Sequence, residues 1–299
     1  MKPLAANISV TACESDGLLL ERYAYTAGSL EPIPKHSHEA YQFSLSFDCH
    51  GEYTYRGELH QIPVRQLSVV HSGEVHAPSD CSFLETPAHF AMAHIHPTWM
   101  RAVAAEMSGG HIYDPFFPVV LPVDGVLTRL FLDLSAVAGK SGSALEKETG
   151  IWNFLSCLIE RYAQDSHHTD KRLKSARKDI LRVCDYLREH FTEDVSLETL
   201  ANIAQLSRFH FCRLFRAEVG VSVSAYQTQL RLEAAKRLLI GGLPIADCAI
   251  ATGFYDQSHL GRHFKRHVGV TPAKYIGQFG VSSSERDKDK IRPTIKNRG

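Results

Sequence analysis

One pattern occurs twice between residues 196 and 279, and this internal repeat constrains the fold more than any other feature of the sequence. The segment 197–206 aligns with the segment 245–254 at a shift of 48 residues, so that their apolar positions and one alanine coincide. One inserted residue then changes the shift to 49, and Phe215 aligns with Phe264. A match that continues through about thirty positions indicates a duplicated structural unit.

Each copy of the repeat has the pattern of a short apolar helix, a tight turn and a second helix. The predicted second helices span residues 207–218 and 256–268. Each begins at a residue suited to an N-cap and ends before a glycine, Gly220 or Gly269, that can adopt the left-handed C-cap conformation. The sequence therefore predicts two helix-turn-helix units.

The predicted second helices each have an apolar side and a polar side. Helical spacing turns Phe211 and Phe215 of the first helix toward the core, and Leu260 and Phe264 have the same role in the second. The opposite sides carry Arg208, Phe209, Cys212, Arg213 and Arg216 in the first helix and Gln257, Ser258, Gly261, Arg262 and Lys265 in the second. Arginine, lysine and glutamine reach both phosphates and base edges, so these ten positions are the predicted DNA-binding residues.

Charge is divided unevenly along a chain whose formal net charge is zero. Residues 1–170 contain 10 Lys and Arg against 20 Asp and Glu, whereas residues 171–299 contain 23 against 13. This division predicts that the basic C-terminal part contacts a polyanion. The alternative is a salt-bridged contact between the two parts.

The N-terminal part has the pattern of a small β-barrel or sandwich. Short β-branched and aromatic runs at 41–47, 51–56 and 67–71 are separated by Gly, Pro and Asp turns. His36 and His38, followed later by His76, resemble the two histidine motifs of the cupin barrel. The resemblance implies a barrel with these histidines near its mouth.

In metal-binding cupins, such histidines and a glutamate hold a metal ion. Residues at i and i+2 of a strand point to the same face, so His36 and His38 can converge with His76. The position four residues after His38, where the family carries glutamate, is Gln42 in this sequence. We therefore expect no metal, and we predict that these four residues form the polar rim of a small-molecule pocket. A metal site and solvated strand histidines remain the alternatives.

Helical patterns follow the predicted barrel. The helix predicted at 146–163 has an apolar stripe that suits either packing on its own barrel or a dimer seam. A long helix at 223–240 is predicted to join the two helix-turn-helix units. The predicted divisions are an effector-binding and dimerisation domain at 1–165, a linker at 166–176, a DNA-binding domain at 177–280 and a disordered basic tail at 281–299.

The predicted fold class is therefore α+β in two domains. The N-terminal domain is a cupin-like β-barrel with accessory helices, and the C-terminal domain is all-α with two helix-turn-helix units joined by a long helix. No secretion signal or long apolar run is present, and the seven cysteines include no C-x-x-C pair, which favours a cytoplasmic location without disulfides. No Ser-His-Asp set or phosphate loop is recognisable, so we expect neither an enzyme nor a cofactor.

Residues 174–279 resemble the DNA-binding domain of the AraC/XylS family of transcription regulators. The similarity extends over both helix-turn-helix units and includes the run 234–239, Gly253-Phe254 and the segment 269–272 with Tyr275. It implies a regulator whose barrel binds a small-molecule effector and often forms a homodimer, and whose C-terminal domain binds promoter DNA, most often to activate RNA polymerase.

The resemblance assigns base readout to the exposed first turns of the two second helices. The matching positions are Phe209, Cys212 and Arg213 in the first unit and Gln257, Ser258, Gly261 and Arg262 in the second. Cys212 and Gly261 are short where longer polar side chains are common in the family. We therefore expect two unequal contacts with DNA; the alternative for Arg213 and Arg262 is a phosphate contact without sequence choice.

Two classes of function agree with these patterns. One is an effector-responsive transcription factor that catalyses nothing, and the other is a metal-dependent cupin enzyme with an appended DNA-binding domain. Gln42 at the glutamate position disfavours the enzyme.

Overall fold

The structure is a computed structural model that describes residues 4–15, 17–78, 82–138, 143–164 and 171–277. Its strands are β1 (Ile8–Ser15), β2 (Leu18–Tyr25), β3 (Gly28–Ser29), β4 (Tyr41–Ser46), β5 (Gly51–Tyr55), β6 (Glu58–Ile62), β7 (Leu67–Val70), β8 (His76–Pro78), β9 (Phe83–Leu84) and β10 (Ala88–Ile95). Its helices are α1 (Pro97–Met107), α2 (Gly125–Ala138), α3 (Ala144–Tyr162), α4 (Lys171–Glu189), α5 (Leu197–Ile203), α6 (Arg208–Val219), α7 (Val223–Ile240), α8 (Ile245–Ala251), α9 (Gln257–Val268) and α10 (Pro272–Ile276).

The described strands form three antiparallel sheets rather than the closed barrel that the cupin resemblance implied. A five-stranded sheet has the order β1-β2-β10-β4-β7, a second has the order β6-β5-β8, and β3 pairs with β9. The segment between β3 and β4 contains Pro32 and Pro34, which lack the N–H that a continuous ladder needs. This segment joins β8 through one isolated bridge, between His36 and His76.

The N-terminal domain has its main core between the five-stranded sheet and helices α1 to α3. Phe43 and Ile95 of the sheet are buried with Phe131 of α2 and Phe154 of α3. The apolar stripe predicted in this last helix is buried in the chain's own core: Ile151, Phe154, Leu155, Leu158 and Ile159 are at most 5% exposed. Packing on its own domain is therefore the role of this stripe, because side chains so deeply buried leave no surface for a dimer seam.

The C-terminal domain contains the two predicted helix-turn-helix units. Helix α7 spans Val223–Ile240, as predicted, and lies between them. Helices α6 and α9 follow the N-caps Ser207 and Asp256, whose side chains accept hydrogen bonds from backbone N–H groups in the first turn. Both helices end at glycines with φ near 80°, the left-handed conformation that glycine adopts most easily. The local capping signals in the sequence thus predicted both helices correctly.

The region between the domains differs from the sequence-based expectation. Helix α4 begins at Lys171 rather than near residue 177, so the last part of the predicted linker 166–176 is helical. The rest of that linker, and the predicted disordered tail 281–299, lie outside the described residues. Within the described chain, the helices are too short or too polar to serve as membrane spans.

One apolar cluster contains residues of both domains. Tyr23 and Tyr25 of β2 are buried in the same cluster as Leu232 of α7, Leu260 of α9 and Tyr275 of α10. The first helix-turn-helix unit has its own cluster with α4. The second unit therefore packs against the N-terminal sheet more closely than the first.

Candidate nucleic-acid interface and interdomain cavity

The structure exposes the ten positions predicted to contact DNA, with one partial exception. Every predicted position on α6 is exposed, and Phe209 is 75% exposed although it is apolar. On α9, four of the five are exposed and Gly261 is half-buried. A Cβ atom added to Gly261 would meet nothing within 4 Å, so the surface beside it is open. Both outer faces are thus available to a partner.

The opposite faces of these helices explain this exposure. Phe211 and Phe215 of α6, and Leu260 and Phe264 of α9, are fully buried. Each pair is one helical turn apart, and burying it fixes the rotation of its helix. The polar side of each helix is consequently held outward.

Tyr255 is an exposed residue that the sequence reasoning did not single out. It is the one residue by which the second copy of the repeat is longer than the first, because Leu206 aligns with Phe254 whereas Ser207 aligns with Asp256. Its side chain is 89% exposed directly before the N-cap of α9. The insertion itself was the available signal, and it makes the turn of the second unit different from that of the first.

A cavity of about 830 Å³ lies between the two domains. Residues from β2, β4 and β10 form its N-terminal walls, and α7 contributes Leu232 and Lys236 from the other side. The C-terminal end of α9 also lines it, through His267, Val268 and the C-cap Gly269. The same helix that carries Gln257 and Arg262 at one end therefore borders the cavity at its other end.

The structure brings together the four residues predicted to form a polar rim, and all of them line this cavity. The ring centroid of His76 lies 4.3 Å from that of His36 and 4.9 Å from that of His38, and Gln42 Oε1 is 3.0 Å from His38 Nε2. His94 belongs to the same group, because its ring centroid lies 5.0 Å from that of His38. These imidazoles are the polar end of the cavity.

His36, His38 and His76 of the cavity are neutral near pH 7. Burial lowers the pKa of His36 to about 4 and holds the pKa values of His38 and His76 well below the usual histidine value. His38 has an oxygen within hydrogen-bonding distance of each ring nitrogen, Ala40 O at 2.7 Å and Gln42 Oε1 at 3.0 Å. A neutral imidazole has a single N–H, so His38 donates to one of these two oxygens.

Glu21 forms a buried ionic contact between the domains. Its carboxylate lies 2.9 Å from Lys236 Nζ of α7 and accepts a hydrogen bond of 2.8 Å from the hydroxyl of Tyr275, and His94 Nε2 is 3.2 Å away. Burial alone would raise the pKa of Glu21, but Lys236 and His94 hold it well below the usual range. The sequence offered no signal for this contact, because Lys236 and Tyr275 are each more than 200 positions from Glu21.

A second contact attaches α7 to the histidine segment. The backbone N–H and the hydroxyl of Ser37 both donate to Gln229 Oε1, at 3.0 and 3.1 Å. Nearer the surface, Lys265 Nζ is 3.7 Å from Glu31 and Arg188 Nε is 3.9 Å from Glu39. Some acidic residues of the N-terminal part thus pair with basic residues of the C-terminal part, which is the alternative explanation given above for the uneven charge.

Comparisons with known proteins agree with this architecture. Residues 200–278 match a family model described as a helix-turn-helix domain. The chain is 27% identical over 250 residues to the uncharacterized HTH-type transcriptional regulator YbfI of Bacillus subtilis (strain 168), a match that covers 81% of this chain and 86% of YbfI.

Two solved structures of ToxT from Vibrio cholerae share the two-domain fold. An apo variant superposes with a TM-score of 0.61 at 11% identity, over 89% of this chain and 98% of that one. A wild-type form with a bound unsaturated fatty acid gives 0.58 at 10% identity, over 88% and 96%. Identities this low make the likeness one of fold, a β-rich N-terminal domain followed by a helical helix-turn-helix domain.

Proposed function

We propose that this chain, a DNA-binding transcriptional regulator of the AraC family, changes its binding to DNA when a small molecule occupies the interdomain cavity. The observation that carries the proposal is the composition of the cavity wall. Tyr23 and His94 come from the N-terminal domain, whereas Lys236 and His267 come from α7 and α9. A molecule bound there contacts both domains at once.

Occupancy of the cavity can bias DNA binding directly. A ligand changes a conformational equilibrium only by as much as it binds one state better than another. The cavity walls belong to two bodies, so any change in their separation changes the ligand's contacts. Since α9 also carries Gln257, Ser258 and Arg262, the bound molecule would act on a recognition helix without a long relay.

ToxT supports a ligand site in this fold, because it has been solved with an unsaturated fatty acid bound. The predicted base contacts belong to the same proposal: Arg213 and Phe209 in the first unit, and Gln257, Ser258 and Arg262 in the second. The proposed function also includes the properties expected from the sequence: an activator in the cytoplasm that acts as a homodimer and contacts RNA polymerase.

A variant with a filled cavity tests the proposal. The purified full-length protein would first select its sites from random duplex DNA, and its affinity for a selected site would be measured by fluorescence anisotropy with a panel of fatty acids, alkylamines and alcohols. Ser44→Trp places a large ring in the cavity. We expect it to retain DNA binding and lose the response to ligand.

Thr54→Trp is the matched control, because Thr54 is half-buried on β5 and outside the described lining of the cavity. It should leave the response intact. If Ser44→Trp responded to the same ligand with wild-type affinity, the cavity would not be the effector site.

A further inference from the structure

The cavity has an excess of acidic side chains. Among the described residues that line it, two are Lys or Arg, Lys236 and Arg237, and six are glutamates, namely Glu14, Glu21, Glu31, Glu39, Glu52 and Glu233. A cleft lined by one sign of charge raises the local concentration of ligands with the opposite sign. This excess favours a cation.

The buried cation of the cavity is already paired. Lys236 Nζ is 2.9 Å from Glu21, whose carboxylate is also bonded to Tyr275. A ligand carboxylate would have to compete with this buried ion pair, and separating such a pair is strongly unfavourable. His36, His38 and His76 are neutral and supply no positive charge in its place. The buried part of the site therefore offers little to an anion.

Glu233 offers an acceptor that the described protein does not use. It lies on α7, lines the cavity, and its Oε1 is buried without a hydrogen-bond partner among the described residues. A buried carboxylate oxygen without a donor is unfavourable unless a ligand supplies one. Burial raises the pKa of this carboxyl to about 7. Arg237 and Lys236 of the same helix and a hydrogen bond from the backbone of Glu39 lower it, whereas the charge of the Glu39 carboxylate raises it. An ammonium group is the donor that would satisfy it best.

The apolar part of the cavity suits the hydrocarbon body of a ligand that carries an ammonium group. Tyr23 and Tyr25 of β2 and Phe90 of β10 line it side by side, with the ring centroid of Phe90 5.0 Å from that of Tyr23 and 5.4 Å from that of Tyr25. Aromatic faces attract organic cations, and their area accommodates a hydrocarbon body.

We propose that the interdomain cavity binds an organic cation, an amine or quaternary ammonium group carried on an apolar body, with Glu233 as the partner of the cationic group. This inference rests on the proposed function, since it names the chemical class of the effector at the same site. It differs from the carboxylate ligand of the ToxT structure, whose fold is similar.

The test uses one hydrocarbon chain with different head groups. Octylammonium, octyltrimethylammonium, octanol and octanoate, below their micelle-forming concentrations, would be titrated into the full-length protein by calorimetry. We expect one or both cations to bind roughly tenfold or more tightly than octanoate. Octanoate binding as tightly as the cations, or no measurable binding of either cation, would overturn the inference.

Two matched variants assign the charge preference to a residue. Glu233→Gln should reduce the ratio of cation to octanoate affinity by roughly tenfold. Glu58→Gln, which removes the same charge from an exposed position on β6, should leave the ratio unchanged. An unchanged ratio in Glu233→Gln, or an equal loss in both variants, contradicts the assignment to Glu233. Circular dichroism and thermal unfolding would establish that both variants are folded.

The two proposals fail differently in these experiments. Octanoate that binds more tightly and changes DNA affinity refutes the cation and leaves the effector-responsive regulator intact. A cation that binds through Glu233 without changing DNA affinity supports the ligand class and refutes the proposed function.

Discussion

Individual arginines on the recognition helices are the simplest test of DNA readout. Arg213 and Arg262 are exposed on α6 and α9, at the positions predicted to reach base edges. Arg213→Ala and Arg262→Ala should each weaken binding to a selected site by about 1 to 3 kcal/mol without unfolding the protein. Competition anisotropy against random duplex DNA measures this loss.

Arg129→Ala is the control for these variants, because Arg129 is exposed on α2 in the N-terminal domain. It should bind like the wild type. If the arginine variants kept the wild-type ratio of specific to random affinity, both side chains would be phosphate contacts without sequence choice.

The buried pair of Glu21 and Lys236 should be essential to the contact between the domains. Lys236→Met leaves the Glu21 carboxylate buried without its cation, which typically destabilises a protein by about 3 to 5 kcal/mol. Glu21→Gln combined with Lys236→Met removes both charges and should recover much of that loss. Thermal and denaturant unfolding of the two variants measure the difference, and equal stabilities would mean that the pair contributes little.

Glu233 should make the stability of the ligand-free protein depend on pH. Its pKa is raised from 4.5 to about 7 in the folded chain, so the folded state holds the proton more tightly than the unfolded state. The stabilisation is complete below pH 4.5 and is lost as the pH rises through 7. By linkage, the loss amounts to about 3 kcal/mol.

Glu233→Gln removes this titration. The melting temperature of the wild type should therefore fall relative to that of the variant between pH 5 and about 7. Parallel curves over this range would show that Glu233 is ionised throughout.

At the scale of secondary structure, Gly261 is a position in α9 where a substitution should stabilise the protein. Gly261 lies within this helix, where glycine is less favourable than alanine by about 1 kcal/mol, and an added Cβ meets nothing within 4 Å. Gly261→Ala should therefore raise the free energy of unfolding by about that amount. Denaturant titration measures it, and a destabilised variant would contradict the open surface described beside this residue.

The same variant tests how closely α9 approaches DNA. If the backbone of the helix does not touch the bases, Gly261→Ala retains its affinity for a selected site. A large loss of affinity in a more stable protein would mean that the glycine is needed for close approach.

Helices α6 and α9 were the elements that sequence reasoning predicted best. Their N-caps at Ser207 and Asp256 and their C-caps at Gly220 and Gly269 are local signals, and the hydrogen bonds that they make extend over only a few residues. The sheets were predicted less well, because a closed barrel depends on ladders between distant strands. Pro32 and Pro34 interrupt such a ladder in a way that the alternation of side chains did not reveal.

For the whole molecule, the position of the cavity predicts an unequal response of the two helix-turn-helix units. Residues of α9 line the cavity, whereas no residue of α6 is among its described lining. A cavity ligand should therefore change binding to the half-site of α9 more than binding to that of α6. Selected DNA with one half-site scrambled at a time separates these contributions by anisotropy.

Scrambling the half-site of α9 should abolish the effect of the ligand, while scrambling the half-site of α6 should weaken binding and leave the effect of the ligand in place. If the ligand changed the affinity equally for both scrambled DNAs, it would move the C-terminal domain as one body.

The sequence alone determined the two helix-turn-helix units, the outward faces with Arg213 and Arg262, and the set of His36, His38, Gln42 and His76. Repeats, caps and helical periodicity involve residues close together in the chain, so their physics is visible in the order of amino acids. Only the tertiary structure decided that these histidines border a cavity shared with α7 and α9. It also decided that Lys236 meets Glu21 and that a buried oxygen of Glu233 has no hydrogen-bond partner among the described residues. Those contacts join parts of the chain about 200 residues apart, and only the packing of one domain on the other brings them together.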